Sequence, residues 1–101
     1  MLVITDTADG LVIEGGLDLD TAMSFVNTVV AHIKTGTTLR CNFAGVSACD
    51  QAGIAGIILA VRAARHMSCK LKLQKLSANV MTLLKLLNLT TILQPELGSA
   101  E

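Results

Sequence analysis

Two short apolar segments, Val3-Ile4 and Leu11-Val12-Ile13, stand on either side of Asp9-Gly10 near the start of the chain. The Asp-Gly dipeptide suits the positive-φ positions of a tight hairpin turn, so the pattern predicts two antiparallel strands. Gly15-Gly16 then interrupts the apolar pattern and is expected to end the second strand. A β-hairpin is therefore the first predicted element.

The next segment has the spacing of an amphipathic helix. Its apolar residues recur three and four positions apart, at Ala22, Phe25, Val26, Val29, Val30 and Ile33. Asp18 or Asp20 is the expected cap, because a short carboxylate can accept hydrogen bonds from the first N–H groups of a helix. Gly36 follows where glycine commonly ends a helix.

The middle of the chain first alternates and then becomes uniformly apolar. Alternation from Leu39 to Phe43 predicts a strand with one buried face, and a turn is expected at Gly45. A second helix is predicted from about residue 51 to residue 66. It is apolar nearly all round in its first three turns, so we expect it to be the most buried helix.

A further strand and helix complete the pattern. Cys69, Leu71 and Leu73 alternate with polar residues, and Ser77 can cap a third helix. The expected core residues of that helix are Val80, Leu83, Leu84 and Leu87. The order β-β-α-β-α-β-α predicts an α/β fold with a mixed, mostly parallel sheet, an N-terminal β-hairpin, and helices packed on the sheet.

Composition places this fold in one small domain. The chain has 101 residues, of which 51% are hydrophobic and 16% charged, so residues 1–101 are expected to form a single domain.

The charge balance and the low aromatic content argue against nucleic-acid binding, since eight basic residues balance eight acidic ones and the aromatic residues are two phenylalanines. The longest uncharged stretches, 21–33 and 51–61, are too short to cross a membrane. Three scattered cysteines and an N-terminus without a signal peptide make the cytoplasm the expected location.

The charges are distributed unevenly along the chain. Residues 1–50 carry six acidic and two basic residues, whereas residues 51–101 carry six basic and two acidic residues. Solvated faces of ordinary helices and strands explain this distribution. The alternative is a dipolar surface that orients an approaching partner.

Enzymatic motifs are nearly absent, so the chain is expected not to be an enzyme. Gly53 and Gly56 lie inside an apolar helix without a phosphate-binding fingerprint, and close packing of that helix on the sheet explains them. A nucleophilic Cys49 is disfavoured, because the neighbouring carboxylate of Asp50 raises a thiol pKa, although a helix N-terminus acts in the opposite direction.

A metal site is not expected either, and no cofactor is implied. The residues that such a site would use are Cys41, Cys49, His66 and Cys69. Cys41 and Cys49 are too far apart in sequence for a zinc ligand pair. Cys41 also shares a face with apolar residues, where a thiol behaves as a small hydrophobic side chain.

The segment from Val46 to Gly53 is the most informative part of the chain. It joins a buried strand to the N-terminus of the most buried predicted helix. N–H groups at a helix start lack partners and carry partial positive charge, so the site suits an anion, a phosphoryl group or a carboxylate of a partner. The plainer alternative is a capping loop in which Asp50 satisfies the first turn.

Three segments together resemble the STAS domain, the module shared by anti-sigma-factor antagonists and the cytoplasmic tails of sulfate transporters. Gly15-Gly16-Leu17-Asp18, followed by Thr21-Ala22, resembles the family's Gly-x-Leu-Asp turn into the first helix. Residues 46–53 resemble the loop that ends in Asp-Ser-Ser-Gly or Asp-Thr-x-Gly. Residues 71–89 resemble the last strand and helix of the family, and the resemblance spans about residues 2–93.

Residue 51 departs from the family pattern. In the antagonists the residue after the loop aspartate is the Ser or Thr that a partner kinase phosphorylates. Here that position is Gln51, followed by Ala52, so the resemblance implies that this switch cannot operate at that site. Ser47 lies nearby, but it precedes the motif and does not inherit the role.

The resemblance implies a non-catalytic cytoplasmic module for signal transduction and regulation of transcription. Such a module would dock onto a partner protein through the 46–53 loop and the helix after it. The expected docking residues are Ser47, Cys49, Asp50, Gln51, Ala52 and Gly53. Met81 and Leu86 fall off the core stripe of the third helix, and Met23 off that of the first, so apolar partner surface is expected there, unless a third layer covers them.

The resemblance leaves three kinds of partner open. The first is an anti-sigma-factor kinase or another signalling protein. The second is the ATPase of an ABC-type lipid transport complex, in which the chain would be an accessory STAS subunit. The third is a small ligand, either a nucleotide or a lipid. No direct membrane insertion is expected, and the oligomeric state is left open, with a homodimer included.

Overall fold

The computed structural model describes residues 1–98, which form one four-stranded sheet and four helices. The elements are β1 (Leu2–Thr7), β2 (Gly10–Leu17), α1 (Ala22–His32), β3 (Thr38–Cys49), α2 (Gln51–His66), β4 (Lys70–Gln74), α3 (Ala78–Leu86) and α4 (Gln94–Leu97). The strand order is β1-β2-β3-β4, with β1 antiparallel to β2 and the other two pairs parallel. The predicted α/β fold class is confirmed, and α4 is an addition that the sequence pattern did not predict.

The N-terminal hairpin is present, but its second strand is longer than predicted. Thr7 pairs with Gly10 across a two-residue turn, and Gly10 has a φ of 132°. The expectation that Gly15-Gly16 ends the strand is wrong, because β2 continues through both glycines to Leu17. The pairing with β3 shifts register between the two glycines, so the irregularity is absorbed as a bulge inside the sheet.

The third strand is also longer than predicted. The expected turn at Gly45 is wrong, because β3 continues beside β2 to Cys49, pairing Gly45 with Glu14 and Cys49 with Leu17. A Cβ at Gly45 would lie 2.7 Å from Cγ of Glu14, which is too close. A glycine at this position therefore leaves space for the Glu14 side chain on the neighbouring strand. Val46 is buried, which anchors the extension to the core.

Two of the three predicted helix caps are observed. Asp50 Oδ1 accepts a hydrogen bond from the N–H of Gly53 at 3.0 Å, and Ser77 Oγ accepts one from Val80 at 3.4 Å. The N-cap residue of α1 is Thr21 rather than Asp18 or Asp20, and its side chain makes no capping bond. Thr21 instead donates to the carbonyl of Gly16, which ties the turn to the end of β2.

The end of α1 lies upstream of the predicted glycine stop. The helix ends at His32, and the backbone of Ile33 is already extended. Gly36, with a φ of 80°, lies further along in the turn into β3. The imidazole of His32 contacts the carbonyl of Thr28 at 2.8 Å and Asp6 of β1 at 3.1 Å, and the Thr28 contact, followed by that with Asp6, raises its pKa.

The core lies between one face of the sheet and the helices. The strand residues that face the helices and are buried include Leu11, Ile13, Cys41, Phe43, Leu71 and Leu73. The rings of Phe25 and Phe43 are 5.8 Å apart at a tilt of 59°, which joins α1 to β3. The opposite sheet face carries mostly polar side chains, so the helices cover one face of the sheet.

The core face of α3 differs from the prediction. Val80 and Leu84 are fully buried as expected, but Leu87 is 38% exposed, so its assignment to the core is wrong. The helix ends at Leu86, so Leu87 is its C-cap residue, and the chain turns at Asn88, which has a φ of 57°. Leu93, which lies beyond this turn, is buried in the core.

The two residues expected to leave apolar surface on α3 differ from each other. Leu86 is 72% exposed, in agreement with its place off the core stripe. Met81 is half-buried and packs against the core, where it lines a cavity of about 490 Å³ together with Leu76 and Leu97. Met81 therefore offers less open surface than the sequence pattern suggested.

The short helix α4 packs along β4, which is an edge strand of the sheet. Its Glu96 is 95% buried and accepts hydrogen bonds from Nε of Arg65 at 2.7 Å and from Nη2 at 2.5 Å. Arg65 also donates to the carbonyl of Ile92 at 2.8 Å. This charge-assisted fork attaches the C-terminal segment to the end of α2 and raises the pKa of Arg65.

Candidate docking site

The junction between β3 and α2 is a sharp connection at Asp50. Its backbone N–H donates to the carbonyl of Leu17 at 3.3 Å, and its carboxylate caps α2 through Gly53. The last residues of β2 therefore lie directly beside the first turn of α2. Residues 46–49 belong to β3, so the predicted 46–53 loop is a strand end followed by a helix start.

The structure brings the six predicted docking residues together at this junction. Ser47, Asp50 and Gln51 are exposed, Cys49 and Ala52 are half-buried, and Gly53 is buried. We use the name docking site for these six residues. The cap bond already engages the carboxylate of Asp50, whereas the side-chain amide of Gln51, the first residue of α2, is exposed.

Gly53 is required by the close approach of α2 to the sheet. A Cβ at this position would collide with the carbonyl oxygen of Leu17 and would lie 2.9 Å from Sγ of Cys49. The predicted explanation, helix packing against the sheet, therefore holds for Gly53. Gly56 instead faces helix α1, since a Cβ there would lie 3.3 Å from Cβ of Ala22.

The chemistry of Cys49 does not support a nucleophile. Burial, followed by the charge of Asp50, raises the pKa of the Cys49 thiol to about 11. Burial, followed by Cys69, raises the pKa of Cys41 to about 12. Both thiols stay protonated near neutral pH, and the thiol form is a poor nucleophile and metal ligand. Among residues 1–98, no three His, Cys, Asp or Glu side chains cluster as metal ligands.

One exposed apolar residue beside the docking site was missed by the sequence analysis. Leu19 lies in the connection from β2 to α1 and is 78% exposed. This connection is held against α2 by the contact between Leu17 and Asp50. The sequence could have predicted this exposure, because Leu19 is an isolated leucine between Asp18 and Asp20 in a polar turn.

Comparison with known proteins gives the family. The family model described as "Mlab, STAS domain" matches residues 1–95, nearly the whole chain. This chain belongs to the STAS family. The resemblance read from the three sequence segments is thereby confirmed. No curated protein matches the chain.

Solved structures share the fold of this STAS domain at low sequence identity. The anti-sigma factor antagonist SpoIIAA in its unphosphorylated form matches with a TM-score of 0.65 and 19% identity, over 100% of this chain and 90% of that chain. A putative anti-sigma factor antagonist from Thermotoga maritima matches with a TM-score of 0.69 and 17% identity, over 91% of this chain and 82% of that chain. At these identities the likeness establishes the fold.

The helices of this STAS domain are short and surround one side of a sheet. Within residues 1–98, none combines the length and the apolar character that a membrane-crossing helix requires. The longest, α2, has 16 residues and is buried against the sheet and α1.

Proposed function

We propose that this STAS domain is a non-catalytic regulatory module of the cytoplasm that binds a partner protein through the docking site. The observation that carries the proposal is the exposed start of α2, where Asp50 caps the helix and Gln51 faces solvent. The raised pKa values of Cys41 and Cys49 argue against either cysteine as a nucleophile. The fold shared with anti-sigma-factor antagonists supports the same class of function.

Residue 51 makes the proposed docking constitutive. A glutamine has no hydroxyl group to accept a phosphoryl group, and its neutral amide keeps the helix start free of added negative charge. Partner binding is therefore expected to be independent of ATP and of any kinase that acts at this position.

The favoured partner is an anti-sigma-factor kinase or a related signalling protein. The second candidate is the ATPase of an ABC-type lipid transport complex, with this chain as the accessory STAS subunit. Gln51 favours this second candidate specifically, because a subunit that stays bound has no need for a phosphorylation switch.

Gln51→Glu is the sharpest test of the docking site. A negative charge in the first turn of α2 should leave stability unchanged or raise it by about 0.3–1 kcal/mol. The same charge would have to be desolvated against the partner, so affinity should fall by about 2 kcal/mol, roughly 30-fold. Thermal melts and a titration against the purified partner measure the two effects separately.

Asn79→Asp is the matched control, because it adds one negative charge to an exposed first-turn position of α3. It should leave partner affinity unchanged. If the wild type and a folded Gln51→Glu chain bind the partner with equal affinity, the docking proposal is wrong. Asp50 and its neighbours would then only cap α2.

The partner class is decided by what the tagged chain retains from a native lysate. Mass spectrometry should find either an ATP-binding kinase or a transporter ATPase with its permease, and the Gln51→Glu chain should lose that protein while Asn79→Asp retains it. Retention of the same protein by all three chains would place the contact elsewhere on the surface.

A further inference from the structure

Four apolar side chains are exposed on the outer side of the helix layer. They are Leu19 (78% exposed), Met23 (57%), Val30 (45%) and Leu59 (44%). Met23 and Val30 are seven residues apart on α1 and so lie on one face of that helix, and Leu19 precedes it. Leu59 lies on α2. We call this set the outer seam.

The contacts of α1 place the outer seam over the groove between α1 and α2. One flank of α1 faces β1, where His32 contacts Asp6. Ala22 faces the neighbouring helix, because it packs against Gly56 of α2. On a helical wheel Met23 and Val30 fall on the flank opposite His32, which is the side towards α2.

Leu59 falls on the corresponding side of α2. It is three residues after Gly56, which faces α1, and it points away from the buried face formed by Ile57, Ala60 and Ala64. The two helices therefore present apolar side chains outward along their line of contact.

The two ends of the outer seam carry opposite charges. Both helices connect neighbouring parallel strands, so they run in the same direction and their N-termini lie at one end. The exposed carboxylates of Asp20 and Asp50 lie at that end, and the exposed cations Lys34 and Arg62 lie towards the other. The ion pairs of residues 1–98 are His32–Asp6 and Arg65–Glu96, so none of these four charged side chains forms an ion pair within that range.

We propose that the outer seam binds a second copy of this chain, with the two seams antiparallel about a two-fold axis. A two-fold axis across the seam lays the acidic end of one copy over the basic end of the other and brings the apolar residues together in the middle. The surface is therefore complementary to itself, as an isologous interface requires. The inference goes beyond the proposed function, because the dimer would cover Leu19 and the start of α2 and so compete with the partner for the docking site.

The size of the seam sets the strength of this dimer. Helices of 11 and 16 residues are about 16 and 24 Å long and pack roughly 8–10 Å apart, so each copy would bury on the order of 400–500 Å². The two copies together would bury about 800–1,000 Å², which is below the area of stable complexes and typical of weak, reversible ones. The dissociation constant is therefore expected on the order of 100 μM.

Sedimentation equilibrium of the purified chain from about 10 μM to 1 mM tests the dimer without any partner. Leu59→Glu should abolish self-association, because it places a carboxylate in the apolar middle of the seam. Leu86→Glu is the matched control, since Leu86 is also exposed but lies on α3, and it should dimerise like the wild type. A wild-type chain that is monomeric at 1 mM, or dimers in both variants, would overturn the proposal.

Charge reversal tests the antiparallel arrangement. Asp20→Lys alone and Arg62→Glu alone should each weaken the dimer roughly five- to tenfold, and the double variant should recover to within about twofold of the wild type. Failure of the double variant to recover would overturn the arrangement. Because these measurements use the purified chain alone, their failure leaves the docking of Gln51 to a partner separately testable.

Discussion

Leu84→Ala is expected to lower the free energy of unfolding by about 2–5 kcal/mol, the range for deleting a large side chain from a packed core. Leu84 is fully buried and holds α3 on the core together with Val80. The α3 segment is short, with 9 residues, so its helical structure depends on this packing rather than on intrinsic propensity. Urea denaturation of the wild type and the variant gives the difference directly.

Leu86→Ala is the matched control on the same helix. Its side chain is largely exposed, so the same truncation should cost less than about 0.5 kcal/mol. Leu87→Ala should fall between the two, because Leu87 is partly covered. If Leu86→Ala costs as much as Leu84→Ala, α3 is buried on both sides in solution and the description of its outer face is wrong.

Arg65→Ala is expected to destabilise the chain by about 1–3 kcal/mol, since it leaves the carboxylate of Glu96 without its charged partner. The loss should appear first in α4, which has 4 residues and is held by this contact. Urea denaturation measures the total effect. Hydrogen exchange of the amides from residue 93 to residue 98 measures the release of α4 from β4.

Two further variants separate the ion pair from general helix effects. Arg62→Ala removes an exposed arginine from the same helix, which forms no ion pair within residues 1–98, and should change stability by less than about 0.5 kcal/mol. The double variant Arg65→Met with Glu96→Leu should be more stable than Arg65→Ala, because it buries no unpaired charge. Equal exchange rates in α4 for the wild type and Arg65→Ala would show that packing alone holds α4.

The geometry of the start of α2 was largely predictable because its determinants are local. Asp50 is three residues before Gly53, so the cap bond depends on a spacing that can be read directly from the chain. The same holds for Ser77 and Val80 at the start of α3. Gln51 is exposed because it occupies the first turn after such a cap, on the side of α2 away from the sheet.

The extent of the strands depended on contacts between distant residues. A glycine pair in isolation predicts a break, yet β2 passes through Gly15-Gly16 because β1 and β3 pair with it on both sides. Gly45 predicts a turn, yet β3 continues through it because this segment pairs with β2, where Glu14 lies opposite Gly45. The hydrogen bonds of strand pairing come from residues distant in sequence, so the local hydrophobic pattern does not predict them.

Periodicity of hydrophobic residues and the spacing of caps determined by themselves the hairpin, the order of helices and strands, the α/β class and the start of α2. Only the tertiary structure decided that Leu87, just past the end of α3, is partly exposed, and that Glu96 is buried against Arg65, 31 residues away in sequence. The physical reason is range. Helix periodicity and capping act within a few residues, whereas burial of a side chain or an ion pair depends on which distant segment packs against it.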